Sequence, residues 1–305
     1  MDLHGKVALV TGASSGVGAA VAEQLADEGV AVVLLARNRE GLERVARRVR
    51  RRGVRALVAV ADVTDRDALA AAVARCEAEL GGLDVLVSNA AAMVFGRFEE
   101  VAAEDFDRTV AVTFTGAVNA IRAALPALAR RRGTIVVVGS TMTSVPLPTF
   151  SSYTAAKHAL RGFAAALRVE LRGAGEPVTL SLVNPGPIDT PLWRHTTTAT
   201  GRRPRHPPDA YTPEAVAAVV VDCARRPRAE VTVGAEGWLM ERGWRLARPV
   251  AERVLGLVGR LYASGREPAR GPGALWEPSG TGDLRGGLHG RPSVTAAAQR
   301  RVRPG

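Results

Sequence analysis

The chain has 305 residues, 47% hydrophobic and 23% charged, with 32 Gly, 18 Pro and 2 Cys, a profile that excludes a disordered chain, a collagen and a disulfide scaffold. A chain this long buries about three quarters of the surface it exposes when unfolded, enough for one large domain or two small ones. The formal net charge of +11 invites nucleic acid or an anionic membrane as partner, yet its distribution argues against nucleic acid. Residues 1–235 carry only +5, whereas the last 70 residues carry +6 together with Trp238, Trp244 and Trp276. Lys6 and Lys157 are the only lysines and the other 39 basic side chains are arginines, so a surviving lysine is informative. Cys76 and Cys223 lie in apolar stretches without CxxC spacing and read as buried cysteines of a reducing compartment. No apolar run approaches the roughly 18 residues of a spanning helix, and the first strand begins too early for a signal peptide. A cytoplasmic protein is expected.

In chain order, β-branched or Leu-rich runs fall at 7–10, 31–35, 56–60, 85–87, 135–138, 178–183 and 231–233, separated by longer Ala-, Arg- and Glu-rich stretches. Near-continuous apolar strands alternating with helical segments predict an α/β fold, a doubly wound parallel sheet with helices on both faces. After the first run comes Thr11-Gly12-Ala13-Ser14-Ser15-Gly16-Val17-Gly18, leading into a helix. Glycines there let the backbone approach a pyrophosphate, and the helix N-terminus offers N–H donors and a positive dipole end. The second run ends in Ala36-Arg37-Asn38-Arg39. No carboxylate stands there to repel a 2′-phosphate and Arg37 can pair with one, which favours NADP(H) while leaving NAD(H) open.

Ser140 follows the fifth run, and thirteen residues on stands Tyr153, with Lys157 one helical turn further on the same face. With 3 Tyr and so few lysines, a chance Tyr-x-x-x-Lys has a probability of roughly 0.02, so the pair counts as a motif. A phenol is a poor acid–base group at neutral pH, and a neighbouring ammonium lowers its pKa. The Ser140 hydroxyl can hydrogen-bond a substrate oxygen beside the tyrosine. The five histidines lack metal-ligand spacing; His195 and His206 are the weaker candidates for lining a substrate site. Residues 201–211 form a Pro- and Arg-rich insertion, and a helix is expected to start near Pro213. Beyond 234, Val250, Val254, Leu257, Val258 and Leu261 share one face of an amphipathic helix over 250–262, and after Gly265 the Gly, Pro and Arg content predicts a poorly ordered tail.

Taken together, these motifs resemble the short-chain dehydrogenase/reductase family over about residues 4–234. That resemblance implies a Rossmann-type sheet, a Ser-Tyr-Lys site at Ser140, Tyr153 and Lys157, and a homo-oligomer. It further implies that Asp62-Val63 contacts adenine, that Ser88-Asn89-Ala90-Ala91 is the turn beside the cofactor, and that Ile188 and Thr190 hold the nicotinamide amide. Two departures stand out. Thr113 occupies the position of a family asparagine that holds a water in the proton relay, and Ala91 replaces a glycine.

The expected activity is hydride transfer between a nicotinamide cofactor and an alcohol/carbonyl substrate of fairly apolar character, under a lid over 192–212. Residues 1–235 would form the catalytic domain and 236–305 a basic extension. That extension packs on its own domain or a neighbouring subunit, or makes peripheral contact with an anionic membrane. The alternative is an NADP-binding regulatory or scaffold protein with little turnover.

Overall fold

The computed structural model describes residues 1–205, 210–263, 265, 268, 273–278 and 282–287. All seven apolar runs are strands of one parallel sheet. In chain order they are β1 (Val7–Thr11), β2 (Ala31–Ala36), β3 (Ala56–Val60), β4 (Val85–Ser88), β6 (Thr134–Val138), β7 (Thr179–Pro185) and β9 (Glu230–Val233). Across the sheet the order is β3-β2-β1-β4-β6-β7-β9, so the winding reverses between β1 and β4. A crevice outside the carboxyl ends of the strands opens at such a reversal. The two-residue strands β5 (Val94–Phe95) and β8 (Thr197–Thr198) pair with each other, a contact no periodicity signals.

Both faces of the sheet are covered because side chains alternate along each strand. Ala8, Val10, Val32 and Leu34 pack beneath α1 (Gly16–Asp27), α2 (Arg39–Arg50) and α7 (Pro213–Arg225). Val7, Leu9, Val33 and Leu35 face α3 (Arg66–Leu80), α5 (Gly116–Arg131) and α6 (Ser151–Gly173). Helix α4 (Ala103–Val110) runs into α5 through a π-helical turn at Ala111–Thr115. This Ala103–Arg131 rod is long and apolar enough to cross a membrane by length and composition, but half of its most apolar window is buried inside the fold.

Helices α8 (Ala235–Leu246) and α9 (Arg248–Ala263) follow the last strand. The expected α9 is present, but a different stripe is turned inward. Leu255 is buried, and Val258 and Tyr262 pack in the same cluster, whereas Val250, Val254, Leu257 and Leu261 are at least half exposed. Both stripes are apolar, so spacing alone did not distinguish them. Residues 273–278 and 282–287, from the stretch expected to lack order, lie against the domain: Leu275 is 1% exposed and joins the core cluster that contains Val7, Leu9, Val33 and Leu35. His206, His289 and the rest of the expected tail fall outside the described residues.

Candidate active site

One cavity of about 400 Å³ opens at the reversal of the sheet, and it gathers nearly every residue singled out from the sequence. The glycine loop, Arg37, Asp62, Val63 and Asn89 line one end; Ser140, Tyr153, Lys157, Ile188 and Thr190 line the other. These residues follow the carboxyl ends of different strands, which is why positions far apart in sequence converge. Gly18 and Thr113 lie behind the wall.

The loop after β1 turns at Gly12 with φ +66°, a conformation that favours glycine. At Gly18 the reason is space: a Cβ would stand 2.7 Å from the Asn89 amide nitrogen and closer still to the Gly12 carbonyl. Asn89 in turn donates from Nδ2 to the Thr11 carbonyl at 3.0 Å, and the Thr11 hydroxyl accepts from the Asn89 and Ala90 amides at 2.9 and 3.1 Å. Thr11 thus ties the end of β1 to the end of β4. It stood in the motif from the start, but only its fully buried position shows that role.

Beyond the end of β3, Asp62 accepts from the Thr64 amide and hydroxyl and is paired with Arg108. Burial pushes its carboxyl upward, but the Thr64 and Arg108 hydrogen bonds outweigh that and hold it below the usual carboxylate range. The Arg37 guanidinium is 3.8 Å from Asp62 and donates to main-chain carbonyls of residues 274–277. No motif or spacing connects Arg108 or the 274–277 segment with this end of the site.

Tyr153 and Lys157 project from the first turns of α6 and are 7% and 2% exposed. The Lys157 ammonium donates to the Val138 carbonyl at 2.8 Å and sits 5.5 Å from the Tyr153 ring centre. Burial pushes the tyrosine phenol well above its ordinary value, partly offset by its hydrogen bond with Ser140. Burial likewise pulls the lysine down to about 7. In this dry pocket desolvation, rather than the neighbouring ammonium, dominates the phenol. Ser140 caps the short turn Thr141–Thr143, its oxygen accepting from the Met142 amide at 3.1 Å, and so has a fixed direction.

Thr113 lies in the π-helical turn, where its hydroxyl donates to the Ala92 carbonyl at 2.9 Å and accepts from the Ala92 amide at 3.1 Å. Both capacities are used to hold the 88–95 segment in place. A π-turn at this point is a common mark of a functional site.

Above Tyr153 the cavity is roofed by apolar and aromatic groups. The turn Pro191–Trp193 carries Trp193, whose ring stacks on Tyr262 of α9 at 6.1 Å and 5° and meets Phe150 edge-on at 6.0 Å. Met240 and Val258 of the C-terminal helices also line it, and His195 lies in the wall. Apart from Val258, placed on the helix face, the contribution of α8 and α9 was not foreseen. Among the described residues no group of His, Cys, Asp or Glu is arranged to hold a metal.

The short chain dehydrogenase family model matches residues 6–201. The uncharacterized oxidoreductase YxnA of Bacillus subtilis is 31% identical over 292 residues, spanning 95% of this chain and 81% of that protein. An alcohol dehydrogenase from the archaeon Thermococcus sibiricus, solved with 5-hydroxy-NADP, superposes with a TM-score of 0.67 at 28% identity, over 75% of this chain and 95% of its own. A short chain dehydrogenase from Mycobacterium paratuberculosis bound to NAD gives the same TM-score at 26% identity, over 76% and 97%.

Proposed function

This chain belongs to the short-chain dehydrogenase family and is an oxidoreductase of the alcohol/carbonyl type, and from that premise we propose that it interconverts an alcohol and a ketone or aldehyde with NADP(H). The observation that carries the reading is the continuous cavity joining the glycine loop and Arg37 at one end to Ser140, Tyr153 and Lys157 at the other. The residues present suit a phosphorylated dinucleotide. The loop makes room where a Cβ would collide, α1 starts beside it, and a guanidinium with no acid in its place ends β2. When bound, the nicotinamide gives or takes the hydride.

The protein's own groups supply the rest. Tyr153, kept protonated by burial, donates its proton to the carbonyl oxygen in reduction and receives it in oxidation. Ser140 orients that oxygen, and Lys157 lies 5.5 Å from the centre of the Tyr153 ring. The Trp193–Tyr262 roof with Met93 and Val145 favours an apolar substrate and excludes water from the reacting atoms. Turnover of a carbonyl panel with NADPH and NADH tests this. Tyr153→Phe should lower kcat by about 100-fold or more with cofactor affinity unchanged; a loss below about tenfold overturns the assigned acid–base role.

The Thr113 hydroxyl, whose one proton is committed to the Ala92 carbonyl, favours a second reading, a nucleotide-binding protein with little turnover. Tight NADPH binding without oxidation across the panel supports it.

A further inference from the structure

We infer that the donors around the adenosine half of the cavity, whose wall Ala274 and Pro278 join, are held by a second ligand, the chain's own stretches 273–278 and 282–287, which must release them before a dinucleotide can bind there. The inference rests on the cofactor reading above, and its observations run along the whole cradle. Arg37, the residue placed to pair with a 2′-phosphate, spends its donors on the carbonyls of Ala274, Leu275, Trp276 and Glu277. Arg108, the partner of Asp62, also donates to the Leu275 carbonyl at 3.4 Å, and its guanidinium lies 5.5 Å from the centre of the Trp276 ring. The Trp276 indole donates to Asp105 at 2.7 Å. Leu275, at 1% exposure, joins the same apolar cluster as Val63, the residue expected beside adenine.

Further along, the Gly16 amide that opens α1 donates to the Asp283 carbonyl at 2.9 Å. That amide belongs to the helix end on which a pyrophosphate would rest. The Gly286 amide donates to the Asp189 carbonyl at 3.2 Å, beside Thr190 at the nicotinamide end. The two stretches therefore meet the cradle at the 2′-phosphate, adenine and pyrophosphate positions and reach the edge of the fourth.

Neutral carbonyls satisfy these donors less strongly than phosphate oxygens, because a charge-assisted bond is roughly twice as strong as a neutral one. Displacement is therefore favourable once cofactor is abundant. The cost of opening lowers apparent affinity by the fraction of chains that are open. Because both nicotinamide nucleotides need the same opening, the cost is common to both.

Two measurements on the full chain test this. The double variant Leu275→Ala/Trp276→Ala removes the apolar anchor and the arginine contact while leaving Arg37 intact. It should bind NADPH and NADH at least about tenfold more tightly, by a similar factor for each. Hydrogen exchange of residues 273–278 and 282–287 should speed up when NADPH is added to the unaltered protein. Slower exchange there, or weaker binding by the variant, makes these stretches a clamp over the bound cofactor and overturns the inference. Equal affinity of both chains overturns it while leaving the cofactor reading in place. If neither chain binds either nucleotide, the cofactor reading falls and the inference with it.

Discussion

Replacing Lys157 by Met separates the cost of burying an ammonium from every other pH-dependent contribution to stability. Burial takes the lysine from 10.5 to about 7 in the folded chain. Each tenfold change in proton affinity corresponds to about 1.4 kcal/mol, so holding the charged form costs on the order of 5 kcal/mol. Below about pH 7 the folded and unfolded chains both carry the proton, and the full cost is present. Between about 7 and 10.5 the unfolded chain still holds a proton that the folded chain has released, so stability rises with pH through that window. The Cys76 thiol, pushed up to about 12 by burial, acts in the opposite sense in alkali, so the unaltered protein alone does not isolate the effect. The difference from Lys157→Met does. Met forfeits the hydrogen bond to Val138, about 1–3 kcal/mol, and this loss varies little with pH. Urea denaturation at pH 6, 8 and 10 should find the variant the more stable at pH 6, with an advantage that shrinks by several kcal/mol by pH 10. A difference constant to within about 1 kcal/mol across the range would refute the assignment of a dry, costly ammonium.

The cofactor end and the core give two further expectations. Arg37→Ala should weaken NADPH relative to NADH about tenfold or more, measured by fluorescence titration of both, while NADH itself binds no more weakly than before because the variant also frees residues 274–277; equal losses for both would remove Arg37 as the 2′-phosphate partner. Asp84, 1% exposed, accepts from the Val7 amide at 3.0 Å and lies 3.4 Å from Lys6 and 3.3 Å from Arg131. Asp84→Ala leaves that amide unpaired at the start of β1 and should cost about 3 kcal/mol, or a Tm lower by roughly 5–10 °C in a thermal melt; a change under about 1 °C would mean that the carboxylate carries no net stability.

The sheet was legible because buried parallel strands are apolar on both sides, so Val- and Leu-rich runs such as 31–35 and 135–138 stand out without any knowledge of their neighbours. The pair of Tyr153 and Lys157 was legible for a related reason: the two are linked by helical spacing, and the lysine is one of only two. What escaped notice depends on contacts distant in sequence. Strands β5 and β8 are two residues each and exist only because the Trp193 turn returns past Val94. Helix α9 offers two apolar stripes, and the choice between them is made by Trp193 and Phe150 meeting Tyr262. Residues 273–278 and 282–287, in the stretch after Gly265, looked structureless because that stretch is rich in Gly, Pro and Arg, yet most of their hold runs through the main chain.

Attachment through carbonyls has its own consequence for how residues 274–277 can vary. Every donor of Arg37 that reaches this stretch ends on a peptide oxygen, a group that all twenty amino acids possess alike. Substitutions at Ala274 or Glu277 leave those oxygens where they are, so related chains can differ at these positions and keep the same grip. Inserting or deleting one residue would shift the row of oxygens by about 3.4 Å and break the match. At Ala274 and Glu277 the path and length of the stretch, more than the identity of the side chain, are the heritable quantities.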